Sequence, residues 1–384
     1  MSVRVDVRPA LLDWARVRSG IDDDTWGRRF PRYEAWRTGQ ATPTLKQLEE
    51  FAHKTHTPVG FFFLNEPPHE TVPIPDFRTV GGRAIAAVLS GNLLDVIYAC
   101  QRRHEWYRDH QLLNGESPLP FVGTATVRDP VEGVAARMRV LLDWMPASRA
   151  RCRTWAGALT WLRERAEAAG VLVMISAMVG SDTHRTLDAQ EFRGFALVDP
   201  YAALVFVNGA DSKAAQVFTF AHELAHLWLG ETALSDLDPQ STRSNTVECW
   251  CNQVAAELLV PMDEFVTAFA ARSDLRAQLA PLAEHFRVST QVILGRAREV
   301  GVLTWDQYLH ELSVERERIA ALIAVRGTGG SYYNTRPVQV SRRFARALVA
   351  STLEGQTPYP VAFRLLGLKK AATFDHLADR LGVV

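Results

Sequence analysis

The sequence predicts an α+β fold that is mostly helical, with a small antiparallel sheet flanked by helical N- and C-terminal regions. Three observations carry this expectation. Apolar residues recur at spacings of three and four along much of the chain, as on one face of a helix. Three short β-rich runs follow one another at 171–175 (VLVMI), 192–199 (FRGFALVD) and 203–209 (ALVFVNG). Directly after them, FTFAHELAHLWLG (218–230) reads as a core helix that nevertheless holds two histidines and a glutamate.

Residues 8–64 read as short helices. LLDWARVRSG ends at Gly20, and TLKQLEEFAHKTH follows Pro43 with helical spacing. EPPHETVPIPDFRT (66–79) reads as an extended, proline-rich connector. Helical stretches are expected around 83–113, 129–145 and 154–169. Pro200-Tyr201 separates the second and third β-rich runs, as in an antiparallel hairpin. Asp211 or Ser212 is placed to cap the helix that Gly230 stops. Asn245 or Thr246 opens another helix, which Pro261 closes. The remainder is helical, broken at GTGGSYYNT (327–335).

Composition narrows the function. The 384 residues carry 43 basic and 43 acidic side chains, which argues against a protein dominated by nucleic-acid contacts. The one local bias is residues 331–384, with eight Lys/Arg against three acids. No run of eighteen apolar residues suggests a membrane span, and the N-terminus lacks the pattern of a signal peptide. Cys100, Cys152, Cys249 and Cys251 have no paired spacing, which suits a reducing cytoplasm.

Chemistry concentrates in the helix at 218–230. Thr219, His222, Glu223 and His226 form one polar stripe, and H-E-x-x-H sets two imidazoles one turn apart, where both can bind one zinc ion. Glu223 lies about 100° round the helix from His222, where it can take a proton from an attacking water. A third ligand is needed. The extension with a glycine and a further histidine fails, because Leu229 and Thr232 stand at those positions. Glu248 is the favoured third ligand, with Asn252 four residues on as a group that orients a histidine. Glu231, Asp236 and Asp238 are rivals, and Glu257 is expected to be a surface or structural charge. His285, Tyr332 and Tyr333 are candidate transition-state donors.

FTFAHELAHLWLG and ECWCNQVAAELLVP, preceded by GFALVDPYAALVFVNG, resemble the ImmA/IrrE family of zinc metallopeptidases. Glu248, Asn252, Ala255, Ala256, Glu257, Leu258, Leu259 and Pro261 match the family pattern. The resemblance implies a zincin-like metallopeptidase domain with His222, His226 and Glu248 as Zn2+ ligands and Glu223 as general base. PIPDFRT and GGSYYNT also look like features of longer members. The expected organisation is a degenerate phage-repressor-type (XRE-like) helix-turn-helix over 1–65, a linker and helical connector over 66–150, the peptidase domain over 151–310 and a helical region over 311–384. WRTGQATPTLKQLEEFA resembles the end of the repressor module, with Arg37 where a glutamate is usual. Sixteen residues separate Gly20 from Trp36, where about twenty are usual in such modules. The shortfall falls where the recognition helix belongs. It counts against DNA reading despite Arg28, Arg29 and Arg32 and leaves a docking or homodimerisation unit. A second run of this kind, LAEHFRVSTQVILGRAREVG (282–301), is expected to close the back of the peptidase domain.

The function expected is a cytoplasmic zinc-dependent regulatory endopeptidase that cleaves a protein partner, such as a repressor or a component of a toxin system. The alternative is an antitoxin or regulatory binding protein with little or no proteolysis. A sequence-specific transcription factor ranks third.

Overall fold

A computed structural model of the chain describes residues 3–21, 23–70, 73–75, 79–80, 83–84, 90–235, 245–269, 274–324 and 338–383. The fold is α+β and mostly helical. The chain forms two compact units, Met1–Pro73 with Ile85–Tyr98 and Ile74–Ala84 with Ala99–Val384.

The smaller unit contains α1 (Pro9–Ser19), α2 (Asp23–Arg29), α3 (Tyr33–Arg37) and α4 (Leu45–Lys54) around a core that includes Leu12, Trp26, Tyr33, Leu48 and Phe51. Thr44 and Gln47 form a reciprocal capping box at the start of α4. The α3 helix is only five residues long.

In the larger unit β1 (Thr79–Val80) pairs antiparallel with β2 (Arg83–Ala84), so residues 83–84 are strand where the sequence periodicity predicts helix. The chain passes from one unit to the other within α5 (Gly91–Leu113). There follow α6 (Val131–Leu141), α7 (Pro146–Arg151) and α8 (Trp155–Ala168), then β3 (Leu172–Ser176), β4 (Gly194–Leu197) and β5 (Leu204–Asn208). Next come α9 (Lys213–Leu229), β6 (Ala233–Ser235) and α10 (Thr246–Leu259). The strand order is β3-β5-β4-β6. The β4–β5 hairpin is antiparallel, but β3 lies parallel to β5, so the sheet is mixed rather than antiparallel. The chain reverses between β3 and β4 and again between β4 and β5, so β3 and β5 run the same way and pair side by side.

This order leaves ALVFVNG (203–209) without a free edge for a substrate. That run is β5, and β3 and β4 occupy both its sides. The edge strands are β3 and β6, and β6 pairs with β4 through Ala233–Ser235. Alternate residues of an antiparallel strand turn their backbone groups to opposite sides. Leu234 accordingly donates its N–H away from β4, to the carbonyl of Pro75 (2.9 Å).

The α9 helix packs on β4 and β5 and against α8 and α10. Val173, Val205, Leu224, Leu227, Val254 and Leu258 belong to one continuous core. The chain ahead of α6 closes over the end of α9. Gly123 N–H donates to Leu227 O (3.0 Å), Ala125 N–H to Trp228 O (2.9 Å), and Phe121 stacks on Trp228. Gly230 ends the helix at φ 78°, and a Cβ there would lie 3.0 Å from the Cα of Gly123. Both reasons require glycine.

Beyond α11 (Met262–Ala268), α12 (Leu275–Phe286) and α13 (Thr290–Glu299) carry the 282–301 run, and Phe286, Ile293 and Leu294 join the same core. The α14 helix (Trp305–Ala324) follows. The chain ends in three amphipathic helices, α15 (Arg342–Leu353), α16 (Tyr359–Leu366) and α17 (Ala371–Leu381). They are tied to α8 by Glu167, whose Oε1 accepts from Ser341 Oγ (2.6 Å) and Arg342 N (2.8 Å) at the start of α15. Among the described residues no helix is long and apolar enough to cross a membrane.

Candidate metal centre

The first helix of the site starts and stops as its sequence dictates. Ser212 Oγ accepts from Ala215 N at the first turn, and Gly230 supplies the left-handed stop. Between them the helix is buried on nearly every side, and His222, Glu223 and His226 are fully buried with it. Four residues make one turn, so both imidazoles face the same way, and their Nε2 atoms lie 3.1 Å apart.

Helix α10 supplies the third group. Asn245 Oδ1 accepts from Val247 N and Glu248 N and so fixes the first turn. Glu248, also fully buried, directs one carboxylate oxygen to His222 Nε2 and the other to His226 Nε2, each at 3.2 Å. The ligating atoms of these three residues all lie within 4.8 Å of one another.

Their charge states favour a cation between them. Burial opposes the Glu248 charge, yet the two imidazoles outweigh it and hold the carboxyl down at about 2. Burial also pushes the His226 imidazole down, toward the neutral form that offers a lone pair. A carboxylate facing an imidazole held neutral lacks part of its counter-charge. A divalent cation among the three groups satisfies both tendencies. The spacing fits as well, since donors about 2.0–2.2 Å from a common zinc ion stand a little over 3 Å apart.

Glu223 turns toward the sheet. A Cβ on Gly194 of β4 would sit 2.8 Å from Glu223 Oε1, 2.7 Å from Thr219 Cγ2 and 2.8 Å from the carbonyl oxygen of Phe206. Gly194 therefore makes the room that the buried carboxylate uses. It is a site residue that the polar-motif reading passes over, although a glycine inside an apolar strand is the usual signal of a close approach.

The other expected residues lie elsewhere. Asn252 Oδ1 is buried without a hydrogen-bond partner among the described residues, as is His222 Nδ1, so these two atoms do not bond to each other. His285 is exposed near the end of α12, with Arg149, Glu264 and Arg287 as its charged surroundings. Glu231 is exposed just past α9. Glu257 is buried rather than at the surface and pairs with Arg296 (2.7 Å). Cys251 is buried, which pushes its thiol well up, while Cys249 is exposed. Tyr332, Tyr333, Asp236 and Asp238 lie outside the described residues.

Residues 166–298 match the family model of peptidase M78, the IrrE N-terminal-like domain. The IrrE-like segment takes in the whole sheet, α9 and α10, and so every member of the metal group. It does not reach residues 8–64. Residues 340–380, which include α15 and α16, match a family model described only as a domain of unknown function. No curated protein matches the chain.

Proposed function

We propose that the protein is a zinc-dependent regulatory endopeptidase that acts in the cytoplasm on a protein partner, such as a repressor or a component of a toxin system. One observation carries the reading. Two imidazoles and a carboxylate converge in a fully buried group on two helices of an IrrE-like peptidase segment, with a second carboxylate one residue from the first histidine.

His222, His226 and Glu248 would hold the metal ion, leaving a position open for solvent. A bound zinc ion supplies Lewis acidity at that position. The chain's own residues do the rest. Glu223 takes a proton from the attacking water as its oxygen bonds to the scissile carbonyl carbon. It then delivers that proton to the amide nitrogen as the C–N bond breaks. The apolar packing of α9 excludes bulk water and holds the ligands in register, and Gly194 keeps the Glu223 carboxylate from being displaced.

Purified protein is expected to contain about one zinc per chain. Glu223→Gln is expected to abolish cleavage of a partner while zinc content and the far-ultraviolet spectrum stay unchanged. Wild-type protein that holds zinc but cuts neither a candidate partner nor a peptide library would sink the proposal.

A second reading, a regulatory or antitoxin protein that binds without cutting, draws on the sheet. Both β4 and β5 are paired on both sides, so neither has a free edge for a substrate strand. Undiminished toxin neutralisation by the Glu223→Gln protein would favour it.

A further inference from the structure

The sheet that adjoins Glu223 ends at β6, and the chain itself sits on that end. Gly194 of β4 faces Ser235 of β6 in the antiparallel register, and Gly194 is also where the sheet touches the Glu223 carboxylate. The outer side of β6 is therefore one strand away from the metal centre. The residue of β6 whose N–H is seen to point outward is Leu234, and the carbonyl of Pro75 takes it. Ile74, next to it, is 6% exposed, while Pro75 is exposed. Residues 74–84 belong to the compact unit that holds the sheet.

We propose that the outer edge of β6 docks an extended segment of a partner protein by strand addition, and that Ile74–Pro75 holds that place in the free chain. The proposal rests on the endopeptidase reading and names how its substrate is positioned. Strand addition takes affinity from backbone hydrogen bonds and specificity from pockets for alternate side chains. The internal segment supplies Pro75 O for the bond, and Ile74 beside it is buried. It is a weak occupant by construction. Proline has no N–H, so Pro75 accepts a bond from the strand and returns none. A partner segment that runs antiparallel to β6, with an ordinary residue at that position, makes the returning bond as well. The internal segment competes through its tether, which gives it an effective concentration on the order of mM. The partner that fits is an extended peptide with one apolar residue beside the pairing residue and a free N–H where this chain has Pro75.

The test uses full-length, zinc-loaded protein carrying Glu223→Gln, with and without Ile74→Asp. The probe is a fluorescent peptide with the sequence of residues 66–80. The Ile74→Asp protein is expected to bind the peptide at least about tenfold tighter by anisotropy, because the tethered competitor is gone. Hydrogen exchange at the Leu234 amide is expected to quicken by a similar factor and to slow again when peptide is added. Zinc content reports an intact centre, and the milder Ile74→Ala is read if Ile74→Asp fails to hold zinc. Equal peptide binding with and without the substitution, or unchanged exchange at Leu234, overturns the proposal. With Glu223 intact, Ile74→Asp is expected to cut an extended reporter peptide faster, chiefly through a lower KM. Peptide docking without any cutting would leave the docking edge standing and refute the endopeptidase reading instead.

Discussion

Helix α10 carries two buried glutamates, and their surroundings differ in a single respect. Glu257 meets cations of the protein itself. Arg296 Nη2 lies 2.7 Å from one oxygen, Arg139 Nη1 3.9 Å from the other, and Met262 N–H donates to both. Burial still lifts its carboxyl above the ordinary range, with the two guanidiniums pulling the other way. Glu248, nine residues earlier, meets two imidazoles and no guanidinium or ammonium in any ion pair of the described residues. One glutamate is a closed structural pair; the other completes a donor set that a metal cation would satisfy. Burial alone does not distinguish structure from function. The chemistry facing the carboxylate does.

The comparison breaks most sharply at the neighbouring acid. Glu223→Gln is expected to lower peptide cleavage by about 10²–10⁴-fold with zinc retained, as for loss of a general base, measured as kcat on a reporter peptide. Glu248→Gln is expected to lose the metal, seen as zinc content falling from about one per chain toward zero. Glu257→Ala is expected to do the opposite. It should cost about 1.5–3 kcal/mol in a urea titration by taking from buried Arg296 one of its two carboxylates, Glu299 being the other, yet keep the zinc of the folded protein. If Glu257→Ala loses zinc and Glu248→Gln only stability, the assignment of roles is inverted. Removing zinc with a chelator is expected to lower Tm on the order of 10 °C, the effect of about 4 kcal/mol of bound-state stabilisation on a domain of this size. The smallest effect belongs to Gly194→Ala. Its new methyl meets Thr219, Glu223 and the Phe206 carbonyl and should cost about 1–3 kcal/mol, with a fall in kcat at unchanged zinc content.

Much of this was legible in the residues. Ser212, Gly230, Asn245 and Pro261 bracket the two metal-site helices because caps and stops act within a few residues of themselves. His222, Glu223 and His226 share one helix, so their spacing alone brings them together. Glu248 was harder, since a ligand from another helix needs the packing of α9 on α10, and Glu231 competed with it on sequence grounds. The parallel pairing of β3 with β5 has no local signature. Neither does β6, three residues long. Glu257 and Arg296 are 39 positions apart, so their pairing is written only in how α10 meets α13. Gly194 did carry a signal, a glycine interrupting an apolar strand, but the signal says only that something comes close.

The touching pair Gly123 and Gly230 has a consequence for metal uptake. A crossing segment bolted by backbone bonds to the last turn of α9, with no side chains between, leaves that turn little slack. His226 lies in it, one turn beyond His222, so the imidazoles are held at their working separation before any ion arrives. Little disorder would then have to be removed when an ion binds to this group.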